Sequence, residues 1–106
     1  SDPPIPDVAG FHCQQAVEKL LKAYLVYHGH EFEKIHDLRA LANECAGIDP
    51  GFLKLRDLIA PLSAYAVRFR YPGPTDPTVA QVQAAVDVAD QVEAFVLSRL
   101  PPNLKP

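Results

Sequence analysis

The residues with chemical potential fall into three blocks. In the first, Gln15, Glu18, Lys19 and Lys22 share one broad polar sector if the segment from Phe11 to Tyr27 is helical. Glu18 and Lys22 stand four residues apart in the orientation that favours an ion pair. On an exposed helix such a pair contributes only ~0.2–0.5 kcal/mol and decorates the surface. Here Phe11, Leu25 and Val26 fall among the polar residues. The sector therefore reads as partly buried, and a carboxylate held there would aim the ammonium of Lys19 or Lys22 into a cleft.

In the second block His36 and Asp37 open a short helix. Asp37 reads as its cap, accepting from free backbone amides. His36 titrates near neutral pH and suits a phosphate, or it ties a loop to the rest of the fold. In the third block Arg68, Arg70 and Tyr71 precede Pro72. Arginine at a helix end complements the helix dipole, which is a sufficient structural reason for it. The same placement sets two guanidinium forks and a phenol at one end of the fold, suited to a phosphate or a carboxylate. Gln15, Lys19, Lys22, His36, Arg68, Arg70 and Tyr71 thus make a candidate nucleotide- or phosphate-binding set, with Glu18 and Asp37 in support. No catalytic residue is assigned. His12, His28 and His30 do not combine with cysteines or carboxylates at a metal-binding spacing, so neither a metal nor a cofactor is expected.

The elements that must position these blocks belong to a single domain over residues 1–106, with an ordered core at about 7–100. With 48% apolar and 22% charged residues, the chain has the balance of a globular protein. No apolar run reaches the ~20 residues a bilayer requires. Ser1 to Pro6 lack the basic start and apolar stretch of an export signal. Cys13 and Cys45 sit inside helical patterns and read as reduced thiols, which together predict a cytoplasmic protein. A net charge of −3 excludes bulk coating of nucleic acid. Residues 51–72 are nonetheless locally basic, with Lys54, Arg56, Arg68 and Arg70 against Asp57.

Hydrophobic period predicts helices throughout and no strand. The first runs to Tyr27, with Asp7 as its cap, Ala16, Leu20, Ala23, Tyr24 and Tyr27 as its apolar stripe, and Gly29 as its stop. It is apolar almost all round, so it needs neighbours on most sides. A short second helix spans His36 to Cys45, buries Leu38, Leu41, Ala42 and Cys45, and ends at Gly47. Asp49-Pro50 then reads as a cap with proline at the first helical position. A long third helix follows, striped by Phe52, Leu55, Leu58, Ile59, Leu62, Ala66 and Phe69 and bent near Asp57 by Pro61. The last helix opens on a capping box of Thr78 and Gln81 and carries Val79, Val82, Val86, Ala89, Val92, Phe95, Val96 and Leu100. The fold class is all-α, an antiparallel up-and-down bundle of four helices, one of them short.

Phe11-His12-Cys13-Gln14-Gln15-Ala16-Val17-Glu18-Lys19-Leu20-Leu21-Lys22, then Ile35-His36-Asp37-Leu38 and Arg70-Tyr71-Pro72, resemble in order and spacing the HEPN family. HEPN stands for the higher eukaryotes and prokaryotes nucleotide-binding domain. The resemblance covers about residues 8–100. It implies an all-α bundle, commonly a homodimer, often encoded in prokaryotes beside a minimal nucleotidyltransferase. Ribonuclease members carry an arginine followed four to six residues later by a histidine. Here all four histidines precede residue 37 and no arginine lies upstream of them, so that pair is absent. Members also carry a further long helix where ten residues, three of them proline, precede Phe11, which implies a missing segment or completion by a partner.

Three readings follow. The first is a dimeric, non-catalytic binding partner of a minimal nucleotidyltransferase, in a toxin–antitoxin-like pair. The second is a nucleotide- or phosphate-binding module. The third is an RNase toxin with a non-standard catalytic set.

Overall fold

The computed structural model describes residues 6–31, 37–62 and 78–101. Among them lie four α-helices and no strand: α1 (Pro6–Tyr27), α2 (Leu38–Ile48), α3 (Leu53–Ile59) and α4 (Val79–Leu97). Short 3-10 turns, Pro50–Phe52 and Ala60–Leu62, flank α3. Leu100 closes the described hydrophobic core at one end of α4.

Helix α1 starts at Pro6, which places Asp7 inside its first turn and not at the cap. It stops as its glycine predicts. Gly29 takes φ +65°, a conformation an L side chain adopts only under strain. Its amide bonds Val26 O at 3.0 Å and the amide of His30 bonds Leu25 O at 2.9 Å, the paired closure of a Schellman end. Of the predicted stripe Ala16, Leu20, Ala23, Tyr24 and Tyr27, however, only Tyr24 is buried. Cys13, Gln14, Val17, Glu18, Leu21, Tyr24 and Leu25 are buried, while Ala16, Ala23, Val26 and Tyr27 are exposed and Leu20 is half-buried. A helix apolar on nearly every side offers several stripes of similar strength. The neighbours chose the one containing two polar residues.

Helix α2 buries the face its spacing predicts, Leu38, Leu41, Ala42 and Cys45. Asp37 caps it, accepting from the amide of Arg39 at 2.9 Å. Gly47 does not end it, because the helix continues to Ile48 and Asp49 forms the cap, its amide bonding Cys45 O at 2.9 Å. A single glycine costs a helix only ~1 kcal/mol, which tertiary packing overrides.

Asp49 also caps the following turn, accepting from the amide of Gly51 at 2.9 Å. Pro61, without an amide hydrogen and with a ring that crowds the carbonyl four residues back, marks a change from α to 3-10 geometry at Ala60–Leu62. Phe52, Leu55, Ile59 and Leu62 are buried as their spacing requires, but Leu58 is exposed. Ala66 and Phe69 lie outside the described residues.

Helix α4 begins on the predicted capping box. The Gln81 amide donates to Thr78 Oγ1 at 3.1 Å, and the Thr78 amide donates to Gln81 Oε1 at 2.8 Å. Ala85, Val92 and Val96 face the core, whereas Val79 stands in solvent. Phe52, at the start of α3, meets Phe95 near the end of α4, ring centres 4.9 Å apart. Leu58 and Gln91 line one groove between the two helices, so α3 and α4 run in opposite directions. Asp90 lies close enough to act electrostatically on the Cys13 thiol, and Arg99 on the Tyr24 phenol. Helices α1 and α4 therefore lie side by side and point the same way.

Gly51 is where the turn before α3 packs most closely. A Cβ there would stand 3.1 Å from Asp49 Oδ1, 3.2 Å from Arg99 Nη2 and 3.3 Å from Phe95 Cζ. Gly51→Ala is expected to cost ~1 kcal/mol or more by overpacking, read as a lower urea midpoint at unchanged slope. In an Arg99→Ala background the cost should shrink, because one of the three crowding atoms is gone.

Candidate functional site

The first motif block builds a polar ladder on the buried face of α1. Gln14 is 2% exposed and Glu18 is 6% exposed. Gln15 Nε2 donates to Gln14 Oε1 at 2.9 Å, and Gln14 Nε2 donates to Glu18 Oε1 at 3.3 Å. Lys22 Nζ donates to Glu18 Oε2 at 3.0 Å from a side chain largely withdrawn from water. Removing a carboxylate from water costs several kcal/mol, which only an opposite charge and good hydrogen bonds offset. The 3.6-residue period supplies both, since positions 14, 18 and 22 stack one turn above another.

Of the predicted site residues, the structure brings together Gln15, Glu18 and Lys22, with Gln14 as the link. Lys19 is apart from them, exposed on the outward side of α1. Asp37 is the cap of α2, the structural role expected of it. His36, Arg68, Arg70 and Tyr71 lie outside the described residues. Among the described residues no group of three or more His, Cys, Asp or Glu side chains could hold a metal ion. His30 is instead bonded to Glu44, Nε2 to Oε2 at 2.7 Å, tying the end of α1 to α2. His28 rests against Tyr24 and Tyr27, ring centres 4.5 and 4.9 Å away.

Sequence reasoning missed a second constellation, between the α2–α3 turn and the end of α4. Arg99 Nε donates to Asp49 Oδ2 at 2.8 Å, across 50 residues of chain. Its guanidinium lies 3.5 Å from the centre of the Phe95 ring, and Lys54 Nζ approaches the same ring at 4.9 Å. The amide of Gly51 and the Arg99 guanidinium hold the Asp49 carboxyl below the usual carboxylate range. Asp49 as a cap before Pro50 was readable locally; its pairing with Arg99 was not, because no local spacing joins them.

A carboxyl with a lowered folded pKa adds stability that is complete above its unfolded value, about 4, and fades as the pH falls through the folded value. The stability gap between the wild type and Asp49→Asn should therefore be constant near neutrality and close progressively below about pH 4. Denaturant midpoints measured from pH 7 to pH 2 check this; a gap that widens in acid would refute it.

Beside this cluster a groove of about 560 Å³ is lined by Lys54, Leu55, Leu58, Gln91, Ala94 and Phe95. Among the described residues no helix is long and apolar enough to cross a membrane.

The geometry gives the Gln-Gln-x-x-Glu-x-x-x-Lys block an architectural role, carrying a satisfied charge into the helix contact. No curated protein and no solved structure matches the chain. The family model for the HEPN domain matches residues 5–100. This match over nearly the whole length agrees with the helices, and the lack of strands, among the described residues, and the chain belongs to the HEPN domain family.

Proposed function

We propose that this HEPN-domain chain is a non-catalytic interaction module, a dimeric binding partner of a minimal nucleotidyltransferase in a toxin–antitoxin-like pair. The observation that carries the reading is the outward face of α1, where Val26 is 63% exposed and Tyr27 is 47% exposed beside Ala16 and Ala23. Apolar side chains aligned on one helix face mark a contact surface, and among the described residues no element covers these. The polar residues Gln14, Gln15, Glu18 and Lys22 are engaged with one another, which suits support of that surface better than chemistry on a substrate.

Co-expression with a minimal nucleotidyltransferase encoded beside this chain tests the proposal. The two should elute as one complex, and Val26→Asp with Tyr27→Asp should separate them. A chain that remains a solitary monomer beside that enzyme would overturn the reading. The alternative of a nucleotide- or phosphate-binding module draws on the locally basic stretch from 51 to 72. Against it, Lys22 already gives its charge to Glu18. Titration with nucleotides and inorganic phosphate separates the two, since only the alternative expects saturable binding lost in Arg70→Ala.

A further inference from the structure

We infer that the seam between α2 and α3 is a docking surface for an acidic peptide segment of another protein, one that carries an apolar side chain among its carboxylates. The surface is separate from the outward face of α1 and uses none of its residues. Arg56 Nη1 donates to Asn43 Oδ1 at 3.2 Å, which joins the flanks of the two helices. Arg39 stands four residues before Asn43, one turn back on the same side of α2. Arg39 and Asn43 are exposed, and Arg56 is half-buried. Leu53, 47% exposed, precedes Arg56 by three residues and so lies next to it on α3.

The positive charge on this surface is uncompensated. Among the described residues no carboxylate lies within ion-pair reach of either guanidinium. The partner that Arg56 does have is a neutral amide, and its Nε is buried with no acceptor. Of the acids on α2 and at its cap, Glu44 bonds His30 and Asp37 accepts from the Arg39 amide. Asn43 gives its oxygen to Arg56, which leaves its Nδ2 hydrogens to donate outward. The surface thus offers two guanidinium forks and an amide N–H, all donors, and what complements such forks is a carboxylate or a phosphate. Leu53 decides between them. A bare phosphate gains nothing from an exposed apolar side chain beside the forks, whereas a peptide buries one of its own against it. At 3.6 residues per turn, Asp57 falls on the other side of Leu53 from Arg56 and repels carboxylates there, so the acidic side of the peptide is directed toward α2.

Amide and side-chain NMR of the isotopically labelled full chain, titrated with the peptide Glu-Glu-Leu-Glu-Glu, tests the inference. The Leu53 amide, the Asn43 side-chain amide and the Arg56 Nε–H should shift and saturate together. The peptide with glutamine in place of every glutamate should leave them still. Arg39→Gln and Leu53→Ser, both at exposed positions and so expected to keep the fold, should each weaken binding roughly fivefold. Val26→Asp with Tyr27→Asp should bind the peptide as the wild type does, so failure of the α1 reading leaves this result untouched. Equal binding of the glutamine peptide, or resonances that stay still throughout, would overturn the inference. Inorganic phosphate that displaces the peptide from the same resonances, with no effect of Leu53→Ser, would reduce the surface to an anion site and overturn the peptide as its occupant.

Discussion

Phe52→Ala should be the most damaging single truncation among the described residues, lowering stability by about 3–5 kcal/mol. The ring is fully buried at the junction of three helices. It touches Tyr24 at 4.5 Å and Phe95 at 4.9 Å between ring centres, the second edge to face. Its removal costs the transfer energy of a phenyl group, two aromatic contacts worth ~0.5–1.5 kcal/mol each, and whatever cavity the neighbours fail to fill. Because each kcal/mol moves the melting temperature of a domain this size by ~4–8 °C, the variant should melt more than ten degrees lower. Phe52→Leu should lose far less. A shift of only two or three degrees in the alanine variant would contradict the burial of this ring.

The second large effect is expected at Glu18. Glu18→Ala withdraws the acceptor of Gln14 Nε2 and the counter-charge of Lys22 while both donors remain where they are. A buried donor stripped of its acceptor costs about 1–3 kcal/mol, and the loss of a counter-charge to the half-buried Lys22 adds to it. A loss of about 2–4 kcal/mol follows. Replacing the pair together is the informative control. Glu18→Leu with Lys22→Leu removes the charges and their desolvation at once and should recover much of the stability lost by Glu18→Ala. If the double variant is as unstable as the single one, the ladder does more than satisfy itself, and a direct role in ligand binding returns to consideration.

What could be read from residue types alone was whatever is decided within a turn or two of helix. The cap at Asp37, the box at Thr78 and Gln81, the glycine stop at Gly29 and the buried face of α2 are each local chemistry. Helix α2 was legible because it has one apolar side and one polar side. Helix α1 was not, because Ala16, Leu20 and Ala23 compete with Val17, Leu21 and Leu25 for the core, and period alone cannot rank them. The decision was made by Cys45 and Phe52, residues beyond α1 that pack on Leu21 and Tyr24. The sector of Glu18 and Lys22 was legible as partly buried from the apolar residues set among it; that Gln14 and Glu18 would face the core itself was not, because the partners that offset the cost of burial are visible only once the face is known. Asp49 and Arg99 lie beyond any such window.

The two thiols turn the chain into its own clock of internal motion. Burial pushes Cys45 up to about 12, with the charge of Glu44 adding to it, and its Sγ points at Leu21 O. Cys13 is raised for the same first reason, at the seam with α4. An alkylating reagent reacts with the thiolate, so each cysteine is labelled only during the excursions that part its own contact. Cys45 times the separation of α1 from α2, and Cys13 times the loosening beside α4. A ligand or companion that clamps one seam would slow one clock and leave the other running.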